Sequence, residues 1–366
     1  MRAGILTVAV SALVLFAGGA ARAGGPALVF DPADGKVLYA EDADDHWHPA
    51  SLTKIMTAYL TFGALKNGKL TLEQRIPYSE RAQSQPPSKL GLHLTATLTI
   101  DQALKALIIK SANDVAVMLA EAISGSQPEF VAHMNQTARR LGMSRTTFVN
   151  PNGLPAPEQV TTARDLAKLA RAVIKDYPEY MSYWSMFDAR IGKIHIGTHN
   201  GLLRTFEGAD GMKTGFICDS GFNVVASATR DGRKIMAVVL GEASGKQRTI
   251  RAANLLEHGF ESYGWKQLFN HSDSIDTMPI STDAKAVTSV RKAVLSFGAR
   301  SRSGKRRNPN RLMSSSRRRP KDPVTPSLPR RAALPTDVRN VRLGQSPAAR
   351  CTISPKWDVF SRLEAF

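Results

Sequence analysis

The sequence lacks the features that define several classes of protein. Its 366 residues include only two cysteines, and no group of Cys and His has the spacing of zinc ligands. No glycine-rich phosphate loop follows a predicted strand, and no apolar run reaches the ~20 residues that a membrane-spanning helix requires. We therefore expect no metal, no nucleotide or other cofactor, and no polytopic membrane protein.

Acidic residues are scarce at the carboxyl end of the chain. The whole sequence carries 49 Lys and Arg against 31 Asp and Glu, a formal charge of +18, but residues 291–366 hold 19 of the basic residues and only four acids. Residues 24–290 have a net charge of +1. The Arg-, Ser- and Pro-rich composition of residues 300–350 cannot bury enough apolar surface to offset the entropy of ordering. We predict a disordered basic tail over 291–366, preceded by a linker of uncertain structure over 263–290.

The first 23 residues resemble an export signal. Arg2 precedes an apolar run at residues 5–17, and Ala21-Arg22-Ala23 forms a small-x-small cleavage site. The run is shorter than a membrane span, which favours cleavage over the alternative of an uncleaved anchor helix. We expect residues 1–23 to be a signal peptide and the mature protein to lie outside the cytoplasm.

The two cysteines, Cys218 and Cys351, lie in dissimilar sequence contexts. Export permits a disulfide, but a chain with this much apolar sequence does not require one. We expect two free thiols, and a disulfide between them stays open as the alternative.

Strand and helix patterns follow one another over residues 24–262. An apolar stripe at helical spacing begins after Ser51, and further helices are predicted over 101–123, 163–176 and 248–260. Strands are predicted at both ends of this region, over residues 27–30, 36–40, 221–229 and 234–240. This order predicts an α/β domain with a largely antiparallel sheet, flanking helices and an inserted helical region.

The first candidate motif is Ser51-Leu52-Thr53-Lys54, which places a hydroxyl and an amine one turn apart on the same side of a helix. Ser51 also lies at the helix amino terminus, where free N–H groups favour negative charge. A serine is a weak nucleophile until a base takes its proton, and a lysine with a lowered pKa can be that base. The alternative is an N-cap serine beside a solvated lysine. A second Ser-x-x-Lys, at Ser289–Lys292, has no catalytic context.

Two later motifs carry further polar side chains. Ser111 and Asn113 interrupt a predicted helix, where they can relay a proton and hold a substrate amide, or simply form a corner between helices. Lys213 and Thr214 precede a β-rich stretch and can bind a carboxylate from a strand edge, while Gly215 allows substrate to approach the backbone. The alternative for the third motif is a surface strand with a solvated lysine.

Together and in this order, the three motifs resemble those of the low-molecular-mass penicillin-binding proteins, which are serine-type D-alanyl-D-alanine carboxypeptidases. The resemblance covers about Ala27 to Phe260. It extends to four further stretches, His48–Ala50, Asn150–Leu154, Thr162–Leu166 and Asn200–Leu203. It implies that residues 24–262 form a β-lactamase/transpeptidase-like catalytic domain, a penicillin-binding serine DD-peptidase.

The resemblance also implies a role for each of the first two motifs. Ser51 would attack the carbonyl of the terminal D-Ala-D-Ala bond of a peptidoglycan stem pentapeptide, and Lys54 would take its proton. Ser111 and Asn113 would complete the proton path and orient the substrate. Backbone N–H groups of Ser51 and Phe216 would form an oxyanion hole.

Recognition of the terminal carboxylate would fall to the third motif. The resemblance implies that Lys213 and Thr214 bind this carboxylate beside Gly215. Relatives often place an arginine before the Asn-Gly-Leu-Leu stretch, where this chain has His199. An imidazole is only partly charged near neutral pH, so carboxylate binding would be weaker and pH-dependent. A surface histidine beside a turn is the alternative.

The resemblance implies an enzyme of cell-wall maturation, in the periplasm or on the outer face of the bacterial cytoplasmic membrane, with β-lactams as inhibitors. A DD-endopeptidase would use the same groups. A β-lactamase needs a glutamate that directs water, and the surroundings of Glu158 do not match such a loop. The alternative outside the enzymes is a wall-binding module with a polyanion-binding tail. The tail can contact anionic wall polymers or lipid weakly, and nucleic acid is not expected as a partner.

Overall fold

The computed structural model describes residues 24–268, 273–306 and 351, so the predicted signal peptide lies outside the described residues. Within them the strands are β1 Ala27–Phe30, β2 Val37–Glu41, β3 Arg75–Pro77, β4 Thr97–Thr99, β5 Asp188–Ile191, β6 Ile194–Gly197, β7 Ala209–Ile217, β8 Gly221–Arg230 and β9 Arg233–Glu242. The α-helices are α1 Lys54–Lys66, α2 Glu80–Ser84, α3 Ile100–Lys105, α4 Asn113–Ser124, α5 Gln127–Arg140, α6 Ala163–Asp176, α7 Ser182–Ser185, α8 Leu202–Thr205, α9 Gly245–Leu268 and α10 Arg291–Arg306. None of these helices is both long enough and apolar enough to cross a membrane.

Five strands form the main sheet, in the order β2-β1-β9-β8-β7 with every pair antiparallel. Strands from both ends of the described domain therefore meet in its centre, as the sequence predicts. The turn between β8 and β9 has positive φ at Asp231 (φ 50°) and Gly232 (φ 73°). This is the backbone that a two-residue hairpin turn requires, and it follows from the Asp-Gly pair.

Because side chains alternate between the two faces of the sheet, the sheet lies between two hydrophobic clusters. On one face Val29, Val224 and Val239 belong to a cluster with Leu256 of α9. Gly259 of α9 lies so close to this face that an added Cβ would be 2.9 Å from Val29 Cγ1. The opposite face contributes to a larger cluster shared with α1, α4, α5 and α6. The sheet is thus covered by helices on both faces, and the predicted fold class is confirmed.

Helix α1 lies in the centre of the larger layer. The predicted stripe is buried, with Leu52, Ile55 and Met56 fully inaccessible to solvent. The polar side of the helix is also buried, and Thr57 Oγ1 donates to Pro151 O at 2.6 Å. Because α1 is enclosed on almost every side, Lys54 at its start is a core residue.

The predicted linker packs against the domain where the structure describes it. Ile275 is fully buried and its N–H donates to Gly35 O at 2.8 Å. The Arg164 guanidinium pairs with Asp44 at 2.7 Å and also donates to the backbone oxygen of Met278 and, at 2.8 Å, to that of Pro279. A buried ion pair therefore fastens the chain that follows α9 to the helical layer.

The prediction of disorder from residue 291 onwards is wrong for Arg291–Arg306, which form α10. Val294 is fully buried, and Arg291 pairs with Asp219 at 2.8 Å in the turn after β7. Composition did not predict α10, because the contacts that stabilise this helix come from a distant part of the chain. Residues 307–350 and 352–366 of the predicted tail lie outside the described residues.

The expectation of two free thiols is also wrong, because Cys218 and Cys351 form a disulfide with their Cα atoms 5.7 Å apart. That separation lies within the usual range for bridged cysteines. The two residues are 133 positions apart in the sequence, so their local contexts carried no signal of the pairing.

We expect Arg164→Ala to lower the free energy of unfolding by about 3–5 kcal/mol, because it leaves the Asp44 carboxylate buried without its cation. Urea denaturation measures this change. Lys105→Ala, which removes a half-exposed pair with Asp101 at i,i+4, is the matched control and should cost less than about 0.5 kcal/mol. Equal losses for the two variants would contradict the assignment.

Candidate active site

Ser51 and Lys54 occupy the turn that leads into α1. Residues Ala50–Thr53 form a 3₁₀ turn and Lys54 is the first residue of the α-helix, so the two side chains are one turn apart. Lys54 Nζ lies 3.0 Å from Ser51 Oγ. The predicted pair is therefore formed, with Ser51 three residues before the α-helix begins at Lys54.

The Lys54 amine is fully buried and meets two further oxygens. Nζ lies 2.8 Å from Asn113 Oδ1 and also contacts the backbone oxygen of Asn152. The Asn113 amide is oriented by its own nitrogen, which donates to Pro86 O at 2.9 Å, so its oxygen faces the amine. Both oxygens can only accept. Nζ also donates to Ser51 Oγ, so the three oxygens together accept the three hydrogens of the protonated amine. When the amine is neutral, the oxygens of Asn113 and Asn152 can take its two hydrogens, which leaves its lone pair for the Ser51 hydroxyl.

Electrostatics favour this neutral form. Burial, and then the nearby charge of Lys213, lower the pKa of Lys54 well below its ordinary value of 10.5, while Asp114 raises it. An amine that loses its proton readily and faces a serine hydroxyl can act as the general base for that hydroxyl. The structure thus supplies both requirements that the first motif suggested.

The second motif breaks the helix as predicted. Ala106–Lys110 form a π-helical turn that ends at Ser111, whose backbone is left-handed with φ 60° and ψ 40°. Such a conformation is costly for a residue other than glycine and is common at functional sites. Ser111 Oγ is buried without a hydrogen-bond partner among the described residues. Asn113 then begins α4, two residues from this hydroxyl and in contact with Lys54.

The third motif lies on β7, at the edge of the main sheet. Lys213 is 2% exposed, and its Nζ donates to Thr214 O at 3.0 Å. A Cβ added to Gly215 would be 3.0 Å from Pro49 O and 3.1 Å from Ser51 N. Glycine at this position therefore allows the strand edge to pack directly on the turn that carries Ser51.

The next residue on β7, Phe216, packs its ring against that of Phe222 of β8, with 4.3 Å between centroids and 36° between the ring planes. Its backbone follows Gly215, which lies against the N–H of Ser51. The oxyanion hole predicted from the N–H groups of Ser51 and Phe216 stays a prediction.

Arg248 is a candidate site residue that the sequence analysis missed. It is 7% exposed on α9, and its guanidinium donates to His199 O at 3.1 Å. Burial, and then the charge of Arg248, lower the pKa of Lys213 to about 7. The signal was its position, since Arg248, Ala252 and Leu256 are spaced at i, i+4 and i+8 on the buried side of the helix.

His199 is placed differently from its predicted partners. Its side chain is exposed, whereas Lys213, Thr214 and Arg248 are buried. The structure connects His199 to the site through its backbone oxygen, which accepts from Arg248. The buried cation beside Lys213 is thus supplied by Arg248.

Asn152 is a second residue that the motifs did not single out. Its backbone oxygen contacts the Lys54 amine, and its side-chain nitrogen donates to Gln85 Oε1 at 2.8 Å. Gly153 has φ +83°, and a Cβ there would lie 1.9 Å from Ala50 O. Only glycine allows this loop to close over the turn that carries Ser51. Among the described residues no group of His, Cys, Asp and Glu could hold a metal ion.

With the sheet, the serine–lysine pair and the strand edge in place, the chain matches the family described as D-alanyl-D-alanine carboxypeptidase over residues 17–244. This match covers more than half of the chain, and the chain belongs to that family. The family resemblance drawn from the three motifs is therefore confirmed.

Individual relatives agree with this assignment. The D-alanyl-D-alanine carboxypeptidase DacA of Haemophilus influenzae is 36% identical over 242 residues, which make up 64% of this chain and 61% of the relative. DacF of Bacillus subtilis is 32% identical over 254 residues, 68% of this chain and 65% of the relative. The chain thus spans less than two thirds of the length of either of these two relatives.

Solved structures show the same fold. Penicillin binding protein 5 from Haemophilus influenzae superimposes with a TM-score of 0.63 and 36% identity, covering 65% of this chain and 71% of that one. Penicillin-binding protein D2 from Listeria monocytogenes in its ampicillin-bound form superimposes with a TM-score of 0.60 and 30% identity. The match covers 65% of this chain and 97% of that one.

The low pKa of Lys213 predicts a pH-dependent stability. The unfolded chain keeps this lysine protonated up to about pH 10.5, whereas the folded chain releases the proton near pH 7. Because the unfolded state then binds more protons, Lys213 makes the fold more stable as pH rises from 7 towards 10.5 and less stable as pH falls. Between pH 7 and pH 9, wild type should gain about 2 kcal/mol of unfolding free energy relative to Lys213→Met.

Urea denaturation at the two pH values measures the difference. Lys66→Met, at an exposed lysine of α1, is the matched control for the substitution itself. A change with pH that is the same in Lys213→Met and wild type would contradict the burial of an ionisable amine at this position.

Proposed function

We propose that this protein is a serine D-alanyl-D-alanine carboxypeptidase that removes the terminal D-alanine from peptidoglycan stem pentapeptides. The observation that carries the proposal is the buried Lys54 amine, 3.0 Å from Ser51 Oγ and held by two oxygens that can only accept. A serine beside an amine whose pKa is held well below its ordinary value is suited to forming an acyl-enzyme. Residues 24–262 are the proposed catalytic domain, with the segment after α9 packed against it.

The proposed reaction begins when Lys54 takes the Ser51 proton and Ser51 Oγ attacks the carbonyl of the terminal peptide bond. The negative oxygen that forms is stabilised by the N–H groups of Ser51 and Phe216. The proton then passes through Ser111 to the leaving nitrogen, and the C–N bond breaks to release D-alanine. Ser111 suits this step because its buried hydroxyl has no other partner among the described residues. Water, activated by Lys54, hydrolyses the ester and restores Ser51.

Recognition of the substrate rests on the strand edge and the buried cations. Lys213 and Thr214 are proposed to bind the free terminal carboxylate, with Gly215 admitting the peptide to the edge of β7. Arg248 adds positive charge behind Lys213 in a region from which water is largely excluded. His199 is assigned a secondary part, since its side chain is exposed. Asn113 is proposed to hold the substrate amide as well as the Lys54 amine.

We further propose that β-lactams acylate Ser51, as the ampicillin-bound form of the Listeria monocytogenes relative suggests. The enzyme is proposed to act outside the cytoplasm, in the periplasm or on the outer face of the cytoplasmic membrane, because its substrate is in the cell wall. The basic tail, with its excess of Arg and Lys, is proposed to make weak contacts with anionic wall polymers or lipid.

The structure favours a carboxypeptidase over a β-lactamase. A β-lactamase needs a glutamate that directs water onto the acyl-enzyme. Glu158, the candidate for that role, is exposed, whereas the neighbouring Gln159 is buried and binds the backbone at Val149 and Asn150. The Lys54 amine is contacted by Ser51, Asn113 and Asn152 instead. A DD-endopeptidase uses the same groups. It differs from a carboxypeptidase in its substrate, which is a cross-linked peptide dimer.

Ser51→Ala should abolish both covalent labelling by a fluorescent penicillin and release of D-alanine from a D-Ala-D-Ala pentapeptide. Gel fluorescence and a D-alanine assay measure the two activities. Ser289→Ala alters the other Ser-x-x-Lys of the chain, where Ser289 bonds Asp219, and should keep both. Labelling of the Ser51→Ala variant would refute the nucleophile. Rapid loss of label with hydrolysed penicillin would indicate a β-lactamase, and cleavage of cross-linked dimers in preference to pentapeptide would indicate an endopeptidase.

Arg248→Leu should raise KM for the pentapeptide at least about tenfold, because a buried charged hydrogen-bond donor near the carboxylate site is lost. His199→Ala should raise KM less, since that side chain is exposed. Steady-state kinetics of D-alanine release measure both. Arg204→Leu, at an exposed arginine of α8, is the matched control. A larger effect of His199→Ala than of Arg248→Leu would reverse the assignment of the two residues.

A further inference from the structure

Asp114 is a fully buried carboxylate that the proposed reaction does not use. It accepts hydrogen bonds from the Tyr78 hydroxyl at 2.9 Å and from the backbone N–H groups of Leu90 and Gly91 at 2.9 and 3.0 Å. No Lys, Arg or His of the described ranges forms an ion pair with it within 4.0 Å. Burying a carboxylate without a directly bonded cation is costly, so its place beside the catalytic centre requires an explanation.

The bonds of Asp114 hold one end of a segment that borders the site. Residues 85–91 run from Gln85, which accepts from the Asn152 side chain at 2.8 Å, to Gly91. Between these ends, Pro86 O accepts from the Asn113 amide at 2.9 Å and Ser88 O accepts from Asn113 N–H at 2.7 Å. Segment 85–91 is therefore fastened to the same two asparagines that hold the Lys54 amine.

We propose that Asp114 is a positioning residue for catalysis, which fixes segment 85–91 against Asn113 and supplies the negative charge that balances the buried cations. The inference rests on the proposed function, because it assigns Asp114 an effect on the base of that reaction. Asp114 touches neither Ser51 nor the expected substrate position, and it acts through Asn113 and Lys54.

The charges around Lys54 explain why one negative group is needed. Burial and Lys213 both favour loss of the Lys54 proton, and Asp114 opposes them. Lys213 in turn faces Arg248, and Asp114 faces Tyr78, whose hydroxyl has a raised pKa because of burial and the carboxylate. Without Asp114 the amine would be a weaker base. It would then take the Ser51 proton less readily, even though more of it would be neutral at low pH.

The test is the pH profile of the second-order rate constant for acylation by benzylpenicillin, measured on the full chain. In wild type the rate should fall on the acidic side as Lys54 becomes protonated. Asp114→Asn should move this acidic limb to lower pH by about one unit and lower the plateau. Tyr78→Phe removes one hydrogen bond to the carboxylate but keeps its charge, so its limb should stay at the wild-type pH.

A purely structural role for Asp114 predicts slower acylation by both variants with no movement of the limb, and that result would overturn the proposal. If Asp114→Asn does not fold, Asp114→Ser replaces it, since it leaves room for water beside the two N–H groups. Its acidic limb is also expected to move to lower pH. Absence of acylation in wild type would refute the proposed function. Acylation of wild type with an unmoved limb in the charge variants would refute the role of Asp114 alone.

Discussion

Burial of the Lys54 amine is the constraint on which the rest of the site depends. A buried ammonium loses its hydration, and a second buried lysine makes retention of the proton still less favourable. The Lys54 amine contacts the oxygens of Asn113, Asn152 and Ser51. Once the amine is neutral, the first two can take its two hydrogens, and its lone pair is left for the Ser51 hydroxyl. Each of these groups must be held in place by other elements, and the architecture around α1 follows from that need.

Two distant parts of the chain pack against the turn before α1 because two glycines allow it. Gly153 brings the loop that carries Asn152 against Ala50 O, and Gly215 brings β7 against Ser51 N. Any side chain at Gly153 would collide with backbone atoms, which cannot move as the end of a flexible side chain can. The geometry around Ser51 and Lys54 is therefore fixed by backbone packing, and the helical layer and sheet hold these backbones in contact.

The parts of this site that could be predicted are those with a local signal. Ser51 and Lys54 were indicated by helical spacing, and Ser111 by a break in a helix that the structure resolves as a left-handed residue. Arg248 carried a weaker signal, as a cation on the buried stripe of α9. The Asn152 oxygen could not be predicted, since any residue has a carbonyl and only the fold directs it at Lys54. The same limit applies to Cys218, whose partner is 133 residues away.

The net charge of the chain shows how composition and structure lead to different conclusions. From its composition, the basic carboxyl end was predicted to be a tail independent of the enzyme domain. In the structure, Asp219 accepts from Ser289 Oγ and from the Arg291 guanidinium, and its backbone oxygen accepts from Val290 N–H. Asp219 and Cys218 both lie in the turn between β7 and β8, directly after the strand edge that carries Lys213. The first part of the basic region is therefore attached at the end of the proposed substrate-binding strand. Arg291, the first cation of that region, is paired there with an acid of the domain. The change in composition at residue 291 therefore does not mark the end of the packed structure.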